Sequence, residues 1–144
     1  MVSVYLVIPA LIIASVFLNF GCATVAPGND PIVVNAERVE SSAIAAFDLV
    51  VNVDNVNRPF WKTNAPPFHA FVEWLRAPQT FQVTNIVPRG SALVLSLHQV
   101  KIDYKASRVS SNLLVTATST LLSAVNQANS WLAVTTNATV TPTP

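Results

Sequence analysis

Apolar residues recur in alternating steps of four and three between residues 32 and 53, and this repeat constrains the fold most. Its members are Ile32, Ala36, Val39, Ala43, Ala46, Val50 and Val53. Such spacing places side chains on one stripe of an α-helix, as at the seam of a helical bundle. Asp30 followed by Pro31 indicates the helix start, because aspartate caps free amides and proline suits the first helical position. We therefore predict one helix from residue 31 to about residue 58.

Proline residues divide the middle of the chain. Pro59 is expected to end or kink the first helix, because proline lacks an amide donor and disfavours helical backbone before it. Residues 67–106 are predicted to form two or three helical pieces, interrupted at Pro78 and at Pro88. Residues 81–87 have no helical spacing, so a short extended segment is the alternative there.

The last helix has the clearest pattern, with steps of three and four. The residues are Leu114, Ala117, Leu121, Ala124, Ala128 and Trp131. Ser110 or Ser111 can cap its start, and the helix is predicted to run to about Val134. Residues 135–144 are rich in threonine and proline and lack an apolar period, so we predict a disordered tail.

Short connections between helices favour antiparallel neighbours. The predicted fold is therefore all-α, an up-down bundle of three main helices whose middle helix is broken. The predicted organisation is a signal peptide or membrane anchor over residues 1–21, a tether over 22–30, the helical domain over 31–134 and the tail over 135–144.

The first 22 residues predict where the protein is located in the cell, but not what activity it has. Residues 2–20 form an apolar run long enough to span a bilayer as a helix, and Gly21-Cys22 follows it. A small residue before cysteine resembles the lipid-attachment motif of bacterial lipoproteins, although Asn19 stands where an aliphatic residue is usual. We expect lipid attachment at Cys22. The alternatives are ordinary cleavage after Ala23 or Ala26, or an uncleaved membrane helix.

The basic start of a signal peptide is missing, since no lysine or arginine precedes Arg38. We therefore expect either a start codon further upstream or an atypical signal. Cys22 is the only cysteine, so the chain has no internal disulfide and the domain depends on packing.

The charge distribution excludes one class of partner and singles out one helix. The formal net charge is +1, which gives no electrostatic basis for binding nucleic acid. No charged residue occurs from Val109 to Pro144, whereas a solvated helix normally carries charge on its outer face. The last helix is therefore either covered on two sides by neighbours or exposes a face that meets a protein partner or lipid.

Candidate reactive residues are few. His69 and Glu73 are four residues apart on a predicted helix and so share a face, but a metal site needs three or four ligands. The other histidine, His98, adds no ligand set, and no nucleophile motif occurs. Asp54 and Arg58 are spaced for a surface salt bridge. We predict no cofactor, no metal and no enzymatic activity.

Several short motifs resemble those of small uncharacterised helical lipoproteins from bacterial and phage-like genomes. These motifs are Asp30-Pro31, Asn35-Ala36-Glu37-Arg38, Asn57-Arg58, Tyr104-Lys105-Ala106-Ser107-Arg108 and the helix from Asn112. The resemblance covers residues 22 to about 134. The chain differs from those proteins at Pro88-Arg89-Gly90, and it lacks their charged final helix. The resemblance implies a helical fold and a location in the cell envelope. It implies no activity and no site residues.

The sequence predicts a non-enzymatic, lipid-anchored protein of the cell envelope that faces the periplasm or exterior. Its helical domain is expected to act as a scaffold or docking surface, with membrane lipid at the N-terminus and a protein partner on the last helix. One alternative is a phage-encoded lysis accessory. Another is a small ligand binder or enzyme that uses His69 and Glu73.

Overall fold

The computed structural model describes residues 30–138, which fold into five helices and one β-hairpin. In chain order the elements are α1 (Pro31–Val56), α2 (Arg58–Asn64), α3 (Pro66–Arg76), β1 (Pro78–Phe81), β2 (Asn85–Pro88), α4 (Arg89–Lys105) and α5 (Ser111–Ala138). None of these helices combines the length and the apolarity needed to cross a bilayer. The predicted leader, Cys22 and residues 139–144 lie outside the described part of the chain.

Helix α1 begins as the sequence predicts and ends two residues earlier, at Val56. The Asp30 side chain accepts a hydrogen bond from the amide of Ile32 at 2.9 Å. Five of the seven residues in the apolar repeat are buried, namely Ala36, Val39, Ala43, Ala46 and Val50. At 1.5 Å per residue the helix is about 39 Å long, which is enough to support the other elements along its length.

The chain reverses at the end of α1 through two proline-started helices. Pro59 lies in the first turn of α2, and Pro66 begins α3. Trp61 is buried at this turn, and its indole Nε1 donates to the carbonyl of Val53 at 2.9 Å. Its ring also packs edge-on against Phe68, with ring centroids 5.2 Å apart. This aromatic contact holds the short helices against the end of α1.

The prediction of an all-α fold is wrong in one segment. Strands β1 and β2 form an antiparallel hairpin in which Pro78 pairs with Pro88 and Phe81 pairs with Asn85. Pro78 and Pro88, at the open end of the hairpin, interrupt the helical hydrogen bonding. Gln82, at the tip, has a positive φ of 57°. The hairpin therefore replaces helix between α3 and α4, in the segment for which the sequence left an extended alternative.

Helix α4 runs back along α1. Near its start, a Cβ atom on Gly90 would lie 3.3 Å from side-chain atoms of both Phe47 and Leu75, so glycine allows the close approach here. Near its end, the Tyr104 hydroxyl donates to Asp30 at 2.8 Å. Because the start of α4 lies beside Phe47 and its end lies beside Asp30, the two helices run antiparallel.

Helix α5 packs against both α1 and α4 and completes the three-helix core. Its core side chains are Leu114, Leu121, Ala124, Val125 and Ala128. The helix extends four residues beyond the predicted end at Val134. Thr135 is buried, and its hydroxyl donates to the carbonyl of Leu132 at 2.9 Å, so a threonine that suggested a tail instead continues the helix.

Candidate functional site

Asp54 lies at the centre of an ion-pair network between α1 and α3. Its side chain is fully buried, whereas the sequence predicted a surface position and a salt bridge with Arg58. Asp54 Oδ1 lies 2.7 Å from His69 Nδ1, and because a carboxylate only accepts, the imidazole donates. Asp54 Oδ2 accepts from Arg76 Nη1 at 2.8 Å. Asp54 therefore joins two positions of α3 to α1.

Arg76 links the two carboxylates of this network. The same Nη1 atom that meets Asp54 also donates to Glu73 Oε1 at 2.8 Å, and Nη2 donates to Asn55. Burial acts to lower the pKa of Arg76, but hydrogen bonds to Glu73 and Asp54 and their charges prevail and raise it. Arg58 Nη2 reaches Glu73 at 2.6 Å instead of Asp54. We call Asp54, His69, Glu73, Arg76 and Arg58 the Asp54 network.

Three members of the Asp54 network have the spacing of metal ligands. Donor atoms of Asp54, His69 and Glu73 all lie within 4.8 Å of one another. However, the guanidinium of Arg76 already bonds to both carboxylates, and a direct hydrogen bond joins His69 to Asp54. A bound cation would have to displace Arg76, so the arrangement fits a structural ion-pair network better than a metal site.

A second network joins α1 to α4. Glu40 accepts from Lys101 Nζ at 2.6 Å and pairs with His98 Nδ1 at 2.9 Å. Burial acts to raise the pKa of Glu40, but hydrogen bonds from Lys101 and His98 and their charges outweigh it, so the pKa is lowered. Lys105 pairs with Glu37 at 3.1 Å one turn away. Sequence reasoning missed the Glu40 pairs, because residues 61 positions apart carry no local signal of contact.

A cleft of 430 Å³ opens between α1, the end of α3 and the start of α4. Its lining residues are Ile44, Phe47, Asp48, Val51, Leu75, Arg76, Pro88, Gly90, Ser91, Val94 and Leu95. Neither His69 nor Glu73 is among them, so the predicted pair does not form this concave site. A sequence signal for the cleft existed, because apolar Ile44, Phe47 and Val51 widen the apolar face of α1.

The exposed face of α5 is uncharged. The exposed large apolar residues of α5 are Leu113, Val115, Leu122 and Val134, of which Val115 and Leu122 lie on the same side of the helix. Several hydroxyls between them donate to carbonyls of the same helix, including Ser119 and Thr120, which both reach Thr116 at 2.9 Å. Because these hydroxyls already donate within the helix, the face needs fewer hydrogen bonds to water than its serine and threonine content suggests. Neighbours thus cover one side of α5, and the other side is exposed.

The three tryptophans pack against other side chains instead of lining a shared groove. Trp61 is buried, and Trp74 stacks on Phe71 with ring centroids 5.8 Å apart. Arg89 lies over the Trp74 ring at 5.1 Å. Trp131 packs near Phe68, and its buried Nε1 has no hydrogen-bond partner among the described residues. We assign all three to packing.

Comparison of the chain with protein-family models, with curated proteins and with solved structures finds no match. The resemblance to small helical lipoproteins therefore stays a prediction. So does lipid attachment at Cys22, which lies outside the described residues.

Proposed function

We propose that this chain is a non-enzymatic helical docking protein of the cell envelope, tethered through a lipid on Cys22. The proposal rests chiefly on the exposed face of α5, where Val115 and Leu122, seven residues apart, are exposed on the same side and no charge occurs. Large apolar residues rimmed by uncharged polar groups are typical of surfaces that meet a partner. We assign this face to a protein partner.

The ionisable side chains support a structural role over a catalytic one. A general acid or base must reach a substrate, and a nucleophile needs an oriented base beside it. In residues 30–138, both histidines pair with carboxylates from another helix, His69 with Asp54 and His98 with Glu40. These pairs join α3 and α4 to α1. This structural role explains the positions of the two histidines, so no catalytic role is needed to explain them.

The position of the predicted tether agrees with docking away from the membrane. Eight residues lie between Cys22 and α1, so a fully extended chain separates the two by at most about 32 Å. The start of α1 is held by Asp30, which caps the helix and accepts from Tyr104. Helix α5 begins near this end of the bundle, because it follows α4 after a short turn. Its exposed face then extends away from the anchor.

Lipid attachment is tested by metabolic labelling with palmitate. We expect palmitate label in the wild type and none in Cys22→Ser, because the serine hydroxyl does not form the thioether. Palmitate incorporation that survives in Cys22→Ser would overturn the lipid anchor. A wild-type protein that carries no label but stays in the membrane fraction would instead support an uncleaved membrane helix.

The docking face is tested with a photoreactive amino acid introduced into the full chain in cells. We expect a cross-linked adduct of one defined mass from position 123, on the exposed face of α5. The control is the same substitution at Asn52, which is exposed on α1 and should give no such adduct. Adding Ser119→Glu places a charge beside the probe and should abolish the adduct. Equal adducts from positions 52 and 123 would contradict the proposal.

A further inference from the structure

The cleft between α1 and α4 has the form of a ligand site. Ile44, Phe47 and Val51 form one apolar wall on α1, and Val94 and Leu95 form the facing wall on α4. Its volume of 430 Å³ lies within the range of about 300–1,000 Å³ that is usual for small-molecule pockets. Such pockets are mostly apolar and contain a few polar groups that orient the ligand.

Asp48 gives this cleft a negative charge that the described residues leave uncompensated. It lies between Ile44 and Val51 on the same face of α1 and is exposed, and nothing in residues 30–138 forms a hydrogen bond or ion pair with it. The other charged lining residue, Arg76, is already engaged by Asp54 and Glu73. An apolar cleft with one free carboxylate is complementary to an apolar molecule with one positive charge.

The segments outside the described residues cannot supply that charge from a side chain. Residues 1–29 and 139–144 contain no lysine or arginine. A two-fold symmetric dimer through the cleft would bring two unpaired Asp48 carboxylates into one interface, which is unfavourable. Both observations favour an occupant other than these segments or a symmetric second copy.

The length of the cleft favours a small molecule over a partner helix. On α1 it extends from Ile44 to Val51, which is two helical turns or about 10 Å. A helix bound in a groove usually uses anchors over more than two turns. We propose that the cleft binds a small molecule with an apolar body and one protonated amino group, which Asp48 receives. This site is independent of Cys22 and of the exposed face of α5.

The test uses three probes with the same apolar body: 1-adamantylmethylammonium, 1-adamantylmethanol and 1-adamantaneacetate. The full chain is placed in lipid nanodiscs, with empty nanodiscs as the reference, and methyl NMR shifts of Ile44, Val51, Val94 and Leu95 are followed at pH 7. We expect the ammonium to bind about three- to tenfold more tightly than the alcohol, and the carboxylate to bind most weakly.

Two variants and one matched control separate the charge from the apolar wall. Asp48→Asn should remove the preference for the ammonium, whereas the matched Glu37→Gln, a carboxylate on the same helix outside the cleft, should preserve it. Ile44→Ser, at a side chain 50% exposed, should weaken all three probes alike. Equal binding of ammonium and carboxylate, or an unchanged preference in Asp48→Asn, would overturn the proposal. Methyl shift changes only at residues outside the cleft would also overturn it. So would the combined result that no probe binds and that a photoreactive amino acid at position 44 cross-links to a protein.

Discussion

At the scale of single residues, Asp54 is the most demanding position in the described structure. A buried carboxylate is tolerated only when charges and hydrogen bonds compensate for its lost hydration. Here His69 and Arg76 each occupy one carboxylate oxygen. Both come from α3, so the compensation also fixes how α3 lies against α1.

We predict that Asp54→Ala lowers the free energy of unfolding by about 1.5–3 kcal/mol, because it removes the buried carboxylate that His69 and Arg76 both hydrogen-bond. The matched change is Arg58→Ala, which removes an exposed partner of Glu73 and should cost less than about 1 kcal/mol. Urea denaturation followed by circular dichroism measures both. A similar small loss in the two variants would contradict a central role for Asp54.

The burial of Asp54 shows where sequence reasoning about single residues fails. Val50 and Asp54 are four residues apart, so they lie on the same face of α1 and both are buried. The apolar repeat ended at Val53, and charge alone suggested that Asp54 faces solvent. Its burial is favourable only because Arg76 and His69, from another helix, contact its carboxylate. No local sequence pattern predicts that contact.

At the scale of elements, charges hold α4 against α1. Lys101 is itself buried, and it reaches the Glu40 carboxylate directly. Glu37 and Lys105 add an exposed pair one turn further along. The apolar seam brings the helices together, and these pairs select their register.

This register pairing predicts a pH dependence. Because the pKa of Glu40 is lowered in the folded state, its contribution is present above the pKa of an unfolded glutamate and is lost as the pH falls through the lowered value. Glu40→Gln should therefore cost about 1–2 kcal/mol at pH 7 and little once the pH is well below about 4.

Denaturant unfolding at pH 7 and at pH 3, with wild type and variant side by side, measures this difference. Glu37→Gln is the matched control, because its carboxylate is 48% exposed and should contribute less at either pH. A loss in Glu40→Gln that is as large at pH 3 as at pH 7 would contradict the assignment.

The elements themselves were predicted unevenly. Helix α1 was predicted to within two residues, because a cap and a long apolar repeat are local signals. The hairpin was only an alternative, since its strands have four residues each and their burial does not alternate clearly. Helix α5 was predicted too short, because the threonines near its end favour helix only when their hydroxyls bond back to the carbonyls.

At the scale of the whole molecule, the sequence by itself determined a mostly helical domain with three long helices, because periodicity and caps act within one element. The tertiary structure decided which charges pair, which face of α5 stays exposed and that a cleft opens beside Asp48. These properties depend on side chains from different helices meeting. The contact of Lys101 with Glu40 spans 61 residues of sequence, so only the packed bundle brings the two together.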